Sequence, residues 1–322
     1  MRYDLTSLEI FVAVADAANL TRAAEQQHLA VSAISKRITE LEGLAGSRLL
    51  LRHARGVSLT PAGKSLLAHA RQMLHLVERM KGDLCEYAGG LKGVVRLHAS
   101  TSSLVQFLPP ELQAFLVRYP MIRLQIEERT GAAIVGAVGA GRADIGILGS
   151  DTPLGGLQSL RYHSDRLALA IPVGHPLASR FCISYAEALE HDFVAPHADS
   201  SLWALMTRHS QATGRSLEPS IQVSSFECIC QLVECGLGIA LLPERLLSSH
   251  VAAGRMLALR LEDEWAARQL VVVARDLENA PSPVRALIDH LQESVVAPDP
   301  AAFSGGERSL GIPSISHRRP CA

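Results

Sequence analysis

The chain has 322 residues, 48% of them hydrophobic and 20% charged, and its formal net charge at pH 7 is −1. At roughly 150 residues per domain this length predicts two domains and excludes a single small module, and the composition excludes a chain that is disordered throughout. Charge is unevenly distributed, because residues 19–71 carry eight basic and only three acidic side chains. A local excess of positive charge is typical of a segment that contacts a polyanion.

The sequence contains no signal for a membrane, a metal or a cofactor. Its start lacks the apolar core of a secretory signal, and no apolar run approaches the about 18 residues that a membrane-spanning helix requires. The six cysteines form no C-x-x-C pair, and no two of the 13 histidines lie within four residues of each other. We therefore predict a cytoplasmic protein with no membrane partner, no metal site and no cofactor.

Residues 5–60 have the pattern of short helices separated by turns. A first helix with an apolar face is followed by a cap at Asn19 and a second short helix from Arg22 to His28. A third helix is predicted for about residues 31–44, where a rotation of about 100° per residue separates two faces. The apolar face consists of Val31, Ile34, Ile38 and Leu41. The opposite face is small, hydroxylated and cationic, and consists of Ser32, Ser35, Lys36 and Thr39.

This polar face has two interpretations. It is either ordinary solvated surface or a set of donors to phosphates and base edges. The segment that follows favours DNA, because residues 48–60 alternate around Gly56 as a two-stranded wing does, with Arg52 and Arg55 near its tip. We predict an all-α winged helix-turn-helix domain over residues 1–60, with its second helix-turn-helix element in the major groove.

A long linker helix is predicted to follow. Thr60 and Pro61 form a hydroxyl cap and a proline at the first helical position, and Gly89 and Gly90 end the helix. Apolar residues recur at alternating intervals of four and three, at Leu66, Ala70, Met73, Val77, Met80, Leu84 and Tyr87. This stripe could pack against its own domain. Its position between two domains favours a coiled-coil seam that pairs two chains, so residues 61–90 are predicted to form a dimerisation helix.

Beyond this helix, alternating strands and helices predict an α/β domain over residues 91–296, with a mainly parallel sheet. Ligands of such sheets bind at the carboxyl ends of the strands. Strands are predicted at 94–99, 122–126, 144–148, 166–173, 193–195, 221–223, 238–242 and 270–274. Helices are predicted at 108–118, 134–141, 184–190, 201–212, 225–235 and 281–295. Residues 297–322, rich in Pro, Gly and Ser, are predicted to be a disordered tail.

A run of hydroxyl side chains lies where a strand ends and a helix begins, at residues 100–103. Helix capping by itself explains one serine of such a run. The alternative is a site for a small anion, because hydroxyls and free backbone N–H groups converge at a helix start. The candidate effector-binding residues are Ser100, Thr101, Ser102, Ser103, Thr130, Ser200, Ser201 and Ser225.

Two enzyme motifs are absent. The A-G-K-S string at 62–65 resembles a phosphate loop, but six residues separate Gly56 from Gly63 where that motif needs four. No G-x-S-x-G elbow occurs, so a hydrolase serine has no local support. We therefore predict no nucleotide-binding role and no hydrolase activity from these motifs.

The motifs resemble those of the LysR-type transcriptional regulators. The resemblance is carried by LTRAAEQQHLAVSAISKRITELE (20–42) and GSRLLLRHARGVSLTPAG (46–63), and continues through FLPPELQAF (107–115), RYP (118–120), GRADIGI (141–147) and GLGIALLP (236–243). It implies an N-terminal winged helix-turn-helix, a dimerising linker helix and a two-lobed effector domain like periplasmic binding proteins. The lobes would be residues 91–163 with 269–295, and residues 164–268.

The family's usual DNA-contacting positions are matched by Ser35, Lys36, Arg52 and Arg55, while Ala30 and Val31 stand where the family often has Ser and Gln. The expected partners are double-stranded DNA, a small-molecule effector and further copies of the chain, as a homodimer and a homotetramer. The candidate DNA-binding residues are Thr21, Ser32, Ser35, Lys36, Arg37, Thr39, Arg52 and Arg55.

Two hypotheses of different classes follow. The first is a ligand-responsive, DNA-binding transcriptional regulator. The second is a cytoplasmic small-molecule-binding protein or enzyme on the same α/β scaffold, which the absent export signal and the basic module of residues 19–71 both disfavour.

Overall fold

The computed structural model describes residues 3–53, 56–86 and 91–296, which divide into two compact units. The first unit runs to Gly93 and includes residues 140–142 and 279–283, and the second contains the other residues from Val94 onward. Arg55, Tyr87 and the predicted tail at 297–322 lie outside the described residues. The elements of the first unit are α1 (Leu5–Ala17), α2 (Leu20–Gln27), α3 (Val31–Ala45), β1 (Leu50–His53), β2 (Gly56–Leu59) and α4 (Pro61–Glu86).

The core of the first unit forms where the apolar faces of its helices meet. Phe11 of α1 packs in one cluster with Ile34, Ile38 and Leu41 of α3, and all four are fully buried. The predicted apolar face of α3 is therefore correct for three of its four residues. Val31 is the exception, being 41% exposed, because it is the first residue of α3 and lies at the edge of this core.

Local capping sets the helix boundaries in this unit. The Asn19 side chain accepts hydrogen bonds from the backbone N–H groups of Thr21 and Arg22, at 2.8 and 3.1 Å. The predicted cap is therefore confirmed, and it starts α2 at Leu20, two residues before the predicted start. In contrast, Ala30 supplies no side-chain cap to α3.

The predicted wing is present as the antiparallel pair β1 and β2. Gly56 opens β2 with a φ of +139°, and a Cβ there would lie 2.3 Å from the carbonyl oxygen of Ala18. The next residue, Val57, donates its N–H to that same oxygen at 2.9 Å. A side chain at Gly56 would break this contact, so glycine is required where the wing approaches the end of α1.

The start of α4 explains the A-G-K-S string. The Thr60 hydroxyl accepts a hydrogen bond from the N–H of Gly63 at 2.9 Å, which confirms the predicted cap. A Cβ at Gly63 would lie 2.1 Å from the carbonyl oxygen of Leu49. Gly63 is therefore a close-packing glycine at the point where α4 approaches the backbone before β1.

The apolar stripe of α4 divides into two parts. Leu66 and Ala70 pack against the core of the first unit, as the intramolecular interpretation requires. Met73 and Met80 are 51% and 54% exposed, and they find no such cover within the described residues. The side chains of Leu84 and Tyr87 lie outside the described part of the helix.

The second unit alternates strands and helices. Its strands are β3 (Gly93–Ala99), β4 (Ile122–Glu128), β5 (Ile145–Gly149), β6 (Gln158–Pro172), β7 (Cys182–Ile183), β8 (Val194–Pro196), β9 (Ile221–Val223), β10 (Ala240–Pro243), β11 (Met256–Leu261) and β12 (Ala267–Ala274). Its helices are α5 (Thr101–Gln106), α6 (Leu108–Arg118), α7 (Gly131–Gly139), α8 (Tyr185–Ala188), α9 (Ser201–Ala212), α10 (Phe226–Glu234), α11 (Glu244–Ala252) and α12 (Ser282–Val296).

The main sheet of this unit has the strand order β4-β3-β5-β12-β6-β11-β7, and β10 also pairs with β6. It is mixed, so the predicted mainly parallel sheet is wrong. Strands β3 and β5 are parallel, as are β11 and β7, but β12 runs antiparallel to both β5 and β6. Strand β12 lies between β5 and β6 in the sheet and follows β11 without an intervening α-helix. Because no crossover helix connects it to its neighbours, nothing requires it to run parallel to them.

Strand β6 belongs to two parts of the sheet. Residues 158–166 pair with β12, whereas residues 167–172 pair with β10 and β11. Helix α11 and strand β11 were not among the predicted elements. In α11 the polar residue His250 is buried, where it contacts Glu234, so the apolar periodicity that would have indicated a helix is interrupted.

No helix within the described ranges combines the length and the apolar character needed to cross a bilayer.

Candidate DNA-binding surface and effector cleft

The polar face of α3 is open to solvent. Ser32, Lys36 and Thr39 are exposed, and the Lys36 side chain keeps 79% of its accessible surface. Its ammonium lies 3.9 Å from Glu40, a contact between two exposed groups one helical turn apart. A surface pair of this type leaves the cation available to another partner, because water and salt screen it strongly.

The wing adds a cation to this surface. Arg52 on β1 donates a hydrogen bond from its guanidinium to the Ser35 hydroxyl at 3.1 Å, and Thr39 donates to the Ser35 carbonyl at 2.9 Å. The predicted residues Ser35, Thr39 and Arg52 therefore lie together. A patch formed from one helix and one wing strand, carrying donors and positive charge, can contact both bases and phosphates.

The other predicted DNA-binding residues have different surroundings. Arg37 donates to the Ser7 hydroxyl at 3.2 Å and pairs with Asp4, so its contacts hold α3 against the start of α1. Thr21 is exposed in the first turn of α2. Arg55 lies outside the described residues.

The second unit contains a cavity of about 440 Å³, lined by hydroxyl, charged and apolar side chains. Five of the eight predicted effector-binding residues line it, and they come from segments up to about 100 residues apart: Ser100, Ser102, Thr130, Ser200 and Ser201. A neighbouring cavity of about 520 Å³ shares Thr130, Ser200 and Ser201 and adds Thr101. The two cavities together form one cleft, which we call the effector cleft.

A backbone-to-side-chain hydrogen bond joins two walls of this cleft. The Ser201 hydroxyl, at the start of α9, accepts from the backbone N–H of Gly131, at the start of α7, at 2.9 Å. A Cβ at Gly131 would lie 2.6 Å from the Thr152 hydroxyl, so the backbone approaches closely here. Two helix starts therefore face the cleft from opposite walls.

The remaining predicted residues have structural contacts. Ser103 is fully buried and its hydroxyl contacts that of Ser100 at 2.8 Å. Ser225 caps α10 by accepting from the N–H of Cys228, and lines neither cavity. Ser200 both lines the cleft and caps α9, through the N–H of Trp203 at 3.0 Å. Ser100 makes no side-chain cap bond to α5, so capping does not account for it.

Sequence reasoning missed the charged residues of the cleft. Arg208 pairs with Asp151, and Arg268 pairs with Asp165. At the rim, a hydrogen bond with His197 at 2.7 Å holds the pKa of the Asp199 carboxyl below its usual value. Asp151 follows the end of β5, the position where α/β sheets bind ligands, so the rule that selected Thr130 could have found it. Arg268 has no such signal.

A winged helix-turn-helix and an α/β domain with a polar cleft define a DNA-binding protein that also binds small molecules. Residues 5–64 match the family model described as "Bacterial regulatory helix-turn-helix protein, lysR family". Residues 88–296 match "LysR substrate binding domain". The chain therefore belongs to the LysR family of transcriptional regulators, whose members bind DNA and small-molecule effectors, form oligomers and are not enzymes. The alternative of an enzyme or simple binding protein is set aside.

Relatives and solved structures agree with this assignment. The chain is 31% identical over 252 residues to the uncharacterized HTH-type transcriptional regulator YnfL of Escherichia coli, covering 76% of this chain and 83% of the relative. It is 28% identical over 278 residues to the RuBisCO operon transcriptional regulator of Allochromatium vinosum, covering 85% and 91%. Full-length OxyR C199D from Pseudomonas aeruginosa has the same fold, with a TM-score of 0.70 at 20% identity over 91% of this chain and 95% of that one.

ArgP from Mycobacterium tuberculosis superposes similarly, with a TM-score of 0.69 at 21% identity over 92% of this chain and 98% of that chain. These likenesses establish the fold of a full-length LysR regulator.

Proposed function

We propose that the polar face of α3, together with Arg52 of the wing, forms the surface that contacts operator DNA. The observation that carries this proposal is the segregation of Ser32, Lys36 and Thr39 on the solvent side of a helix whose other side is buried. Short side chains allow the helix backbone to approach the floor of the major groove. The Lys36 ammonium can donate to DNA because its contact with Glu40 is long and exposed to solvent. Arg37 contributes indirectly, because its contacts with Ser7 and Asp4 hold α3 against the start of α1.

Binding of the protein to fragments of its own genome, by electrophoretic shift and then by fluorescence anisotropy, tests this proposal. Lys36→Ala is expected to weaken binding by about 1–3 kcal/mol if Lys36 contacts a base, or to weaken it on all sequences with a shallower salt slope if it contacts a phosphate. Lys92→Ala removes the same charge at an exposed position outside α3 and is the control. Unchanged binding by Lys36→Ala would contradict this placement.

We propose further that α4 pairs two chains. The support is its exposed apolar surface at Met73, Leu76 and Met80, which follows the part of the stripe that the domain core covers. Two such dimers would make the homotetramer. The domain boundaries proposed for this assembly are 1–60 for DNA binding, 61–90 for the linker helix and 91–296 for effector binding. Because it acts on DNA, the protein is proposed to be cytoplasmic.

The effector cleft is proposed to bind a small anionic molecule. The polar lining by Ser100, Ser102, Thr130, Ser200 and Ser201 supports this, as does the start of α5, where the first backbone N–H groups of a helix have no partner within the helix. Ser103 and Ser225 would contribute indirectly, by holding Ser100 and by capping α10. If the effector binds one conformation of the cleft more tightly than another, it can change the affinity for DNA. A typical coupling free energy between two such sites is about 1–3 kcal/mol.

Replacing Ser102 by phenylalanine tests the cleft. A thermal-shift screen first identifies a compound that stabilises the wild-type protein and changes its DNA binding. Ser102→Phe is expected to abolish both effects while basal DNA binding remains, since Ser102 lies outside the DNA-binding unit. Ser216→Phe, at an exposed loop position, is the control. A normal response of Ser102→Phe would show that the compound binds elsewhere.

A further inference from the structure

The ion pair between Arg268 and Asp165 lies at the wall of the effector cleft. The two residues stand directly opposite each other in the antiparallel pairing of β12 and β6. The Nε of Arg268 donates to Oδ1 of Asp165 at 2.8 Å, and Nη2 donates to Oδ2. Their side chains keep only 13% and 1% of their accessible surface, and Arg268 lines the cavity. This is a bidentate pair, well shielded from solvent, with its cation facing the cleft.

Two further contacts fix the pair. Nη2 of Arg268 also donates to the Ser102 hydroxyl at 3.2 Å, and Asp165 accepts from the side-chain amide of Gln106 at 2.9 Å. Ser102 and Gln106 both belong to α5. The network therefore joins α5 to both strands, just before the register of β12 on β6 shifts between Gln269 and Val271. The guanidinium is held in one orientation without any contribution from a ligand.

The donors of Arg268 are not all used. A guanidinium carries five N–H groups, and Nε and Nη2 account for three of them. The two N–H groups of Nη1 have no acceptor among the described residues. Arg208 and Arg129, which also line the cleft, are instead about half exposed, so that solvent screens their charges. Arg268 lines the cavity, and Nη1 is not among the buried side-chain atoms that lack a partner, so its two N–H groups are accessible to a ligand that offers an acceptor.

We propose that Arg268 is the specificity-determining residue of the cleft and that it binds the carboxylate of an organic acid through Nη1, with Asp165 and Ser102 positioning its guanidinium. This inference rests on the proposed effector cleft and names the chemical class of its ligand. Asp165 accepts from Nε and Nη2 and leaves Nη1 for the ligand, so a ligand carboxylate does not displace it. The negative charge of Asp165 opposes the binding of a second carboxylate at the same guanidinium.

The test uses the full-length protein and a panel of aliphatic and aromatic mono- and dicarboxylates, each paired with its neutral amide, in thermal-shift and calorimetric titrations. At least one carboxylate is expected to bind, and its amide is not. Arg268→Gln is expected to weaken that binding by at least about tenfold, since a hydrogen bond to a charged group contributes roughly 1.5–3 kcal/mol. Arg161→Gln, which removes an exposed charge on β6, is the control and retains binding.

Two further variants separate recognition from folding. Arg268→Gln leaves Asp165 buried without its partner, so the double variant Arg268→Gln/Asp165→Asn removes both charges and is also expected to lose carboxylate binding. Asp165→Asn alone keeps an oxygen acceptor for the guanidinium but removes the negative charge that opposes the ligand, so it is expected to tighten carboxylate binding several-fold, a gain that a purely structural pair would not produce.

Three results would overturn the inference. They are equal binding of the acid and its amide, unchanged carboxylate affinity in the double variant, and no binding by any carboxylate of the panel. If a neutral compound binds wild type and is lost in Ser102→Phe, the effector cleft stands while the role of Arg268 fails. If carboxylate binding survives Ser102→Phe, the proposed cleft itself is wrong.

Discussion

The proposed DNA-binding surface of the first unit and the effector cleft of the second both present cations, but one cation is exposed and the other is shielded. Lys36 keeps 79% of its side-chain surface in solvent, and its ammonium lies 3.9 Å from Glu40. Arg268 keeps 13% and is held bidentately by a carboxylate that keeps 1%. A polyanion such as DNA carries condensed counterions. When exposed cations of a protein bind the polyanion, these counterions are released, which favours binding. In a shielded site for a small ligand, a cation without a partner would destabilise the ligand-free protein, so the protein supplies a carboxylate of its own.

Apolar surface does not follow this contrast, because both units leave large apolar side chains exposed. Met73 and Met80 of α4 are 51% and 54% exposed, and Val117 of α6 is 79% exposed. Helix α4 differs in that its exposed methionines continue a stripe whose first residues pack against the core of their own unit. Each prediction below changes one side of this comparison.

The largest effect is expected from breaking the shielded ion pair. Asp165→Ala leaves the Arg268 cation without its partner and should lower the free energy of unfolding of the second unit by about 3–5 kcal/mol. Glu293→Ala, which removes the partner of Arg118 in an exposed pair at 3.0 Å, should cost at most about 1 kcal/mol. Urea titrations of both variants measure the difference. Equal costs would mean that shielding from solvent does not make the Arg268–Asp165 pair more important for stability than an exposed pair of the same unit.

The next largest effect concerns the exposed stripe of α4. Val77→Asp places a charge in the centre of the proposed seam, twice in a symmetric dimer, and should weaken self-association by roughly a hundredfold, or about 3 kcal/mol. Gln72→Asp, on a different face of the same helix, is the control. Sedimentation velocity over a range of concentrations checks both. Assembly of Val77→Asp like wild type would mean that the stripe packs within one chain.

A smaller effect distinguishes packed from free positions within the first unit. Gly63→Ala places a Cβ 2.1 Å from the Leu49 carbonyl oxygen and should lower the unfolding free energy by about 1–3 kcal/mol. A Cβ at Gly43, inside α3, would meet no atom within 4 Å, so Gly43→Ala should raise the unfolding free energy by about 0.5–1 kcal/mol. Thermal unfolding monitored by circular dichroism measures both. A neutral Gly63→Ala would contradict the close-packing role.

The smallest effect tests how free the Lys36 cation is. Glu40→Gln removes its weak partner and should strengthen DNA binding by about 0.5 kcal/mol or less at low salt, with the gain lost at high salt. Glu9→Gln, which makes the same charge change on α1, corrects for the net charge of the domain. Anisotropy titrations at two salt concentrations supply the comparison. A large gain would mean that Glu40 sequesters Lys36 in the free protein.

Much of the fold follows from local patterns in the sequence. The segregated faces of α3, the cap at Thr60, the wing and the start of α9 at Ser201 were predictable, because each depends on residues a few positions apart. The effector cleft was predictable in part. Ser100, Ser102 and Thr130 follow strands whose ends meet at one edge of the sheet, and the prediction needed only the order of those strands.

The sequence by itself determined that a basic helical module precedes an α/β domain, since composition, spacing and capping are all local properties. Only the tertiary structure decided that β12 inserts antiparallel between β5 and β6, that Arg37 turns inward to Ser7, and that Arg268 meets Asp165. The last two residues are 103 positions apart. Contacts at that separation leave no periodicity in the chain, because they arise from the pairing of strands that the fold brings together.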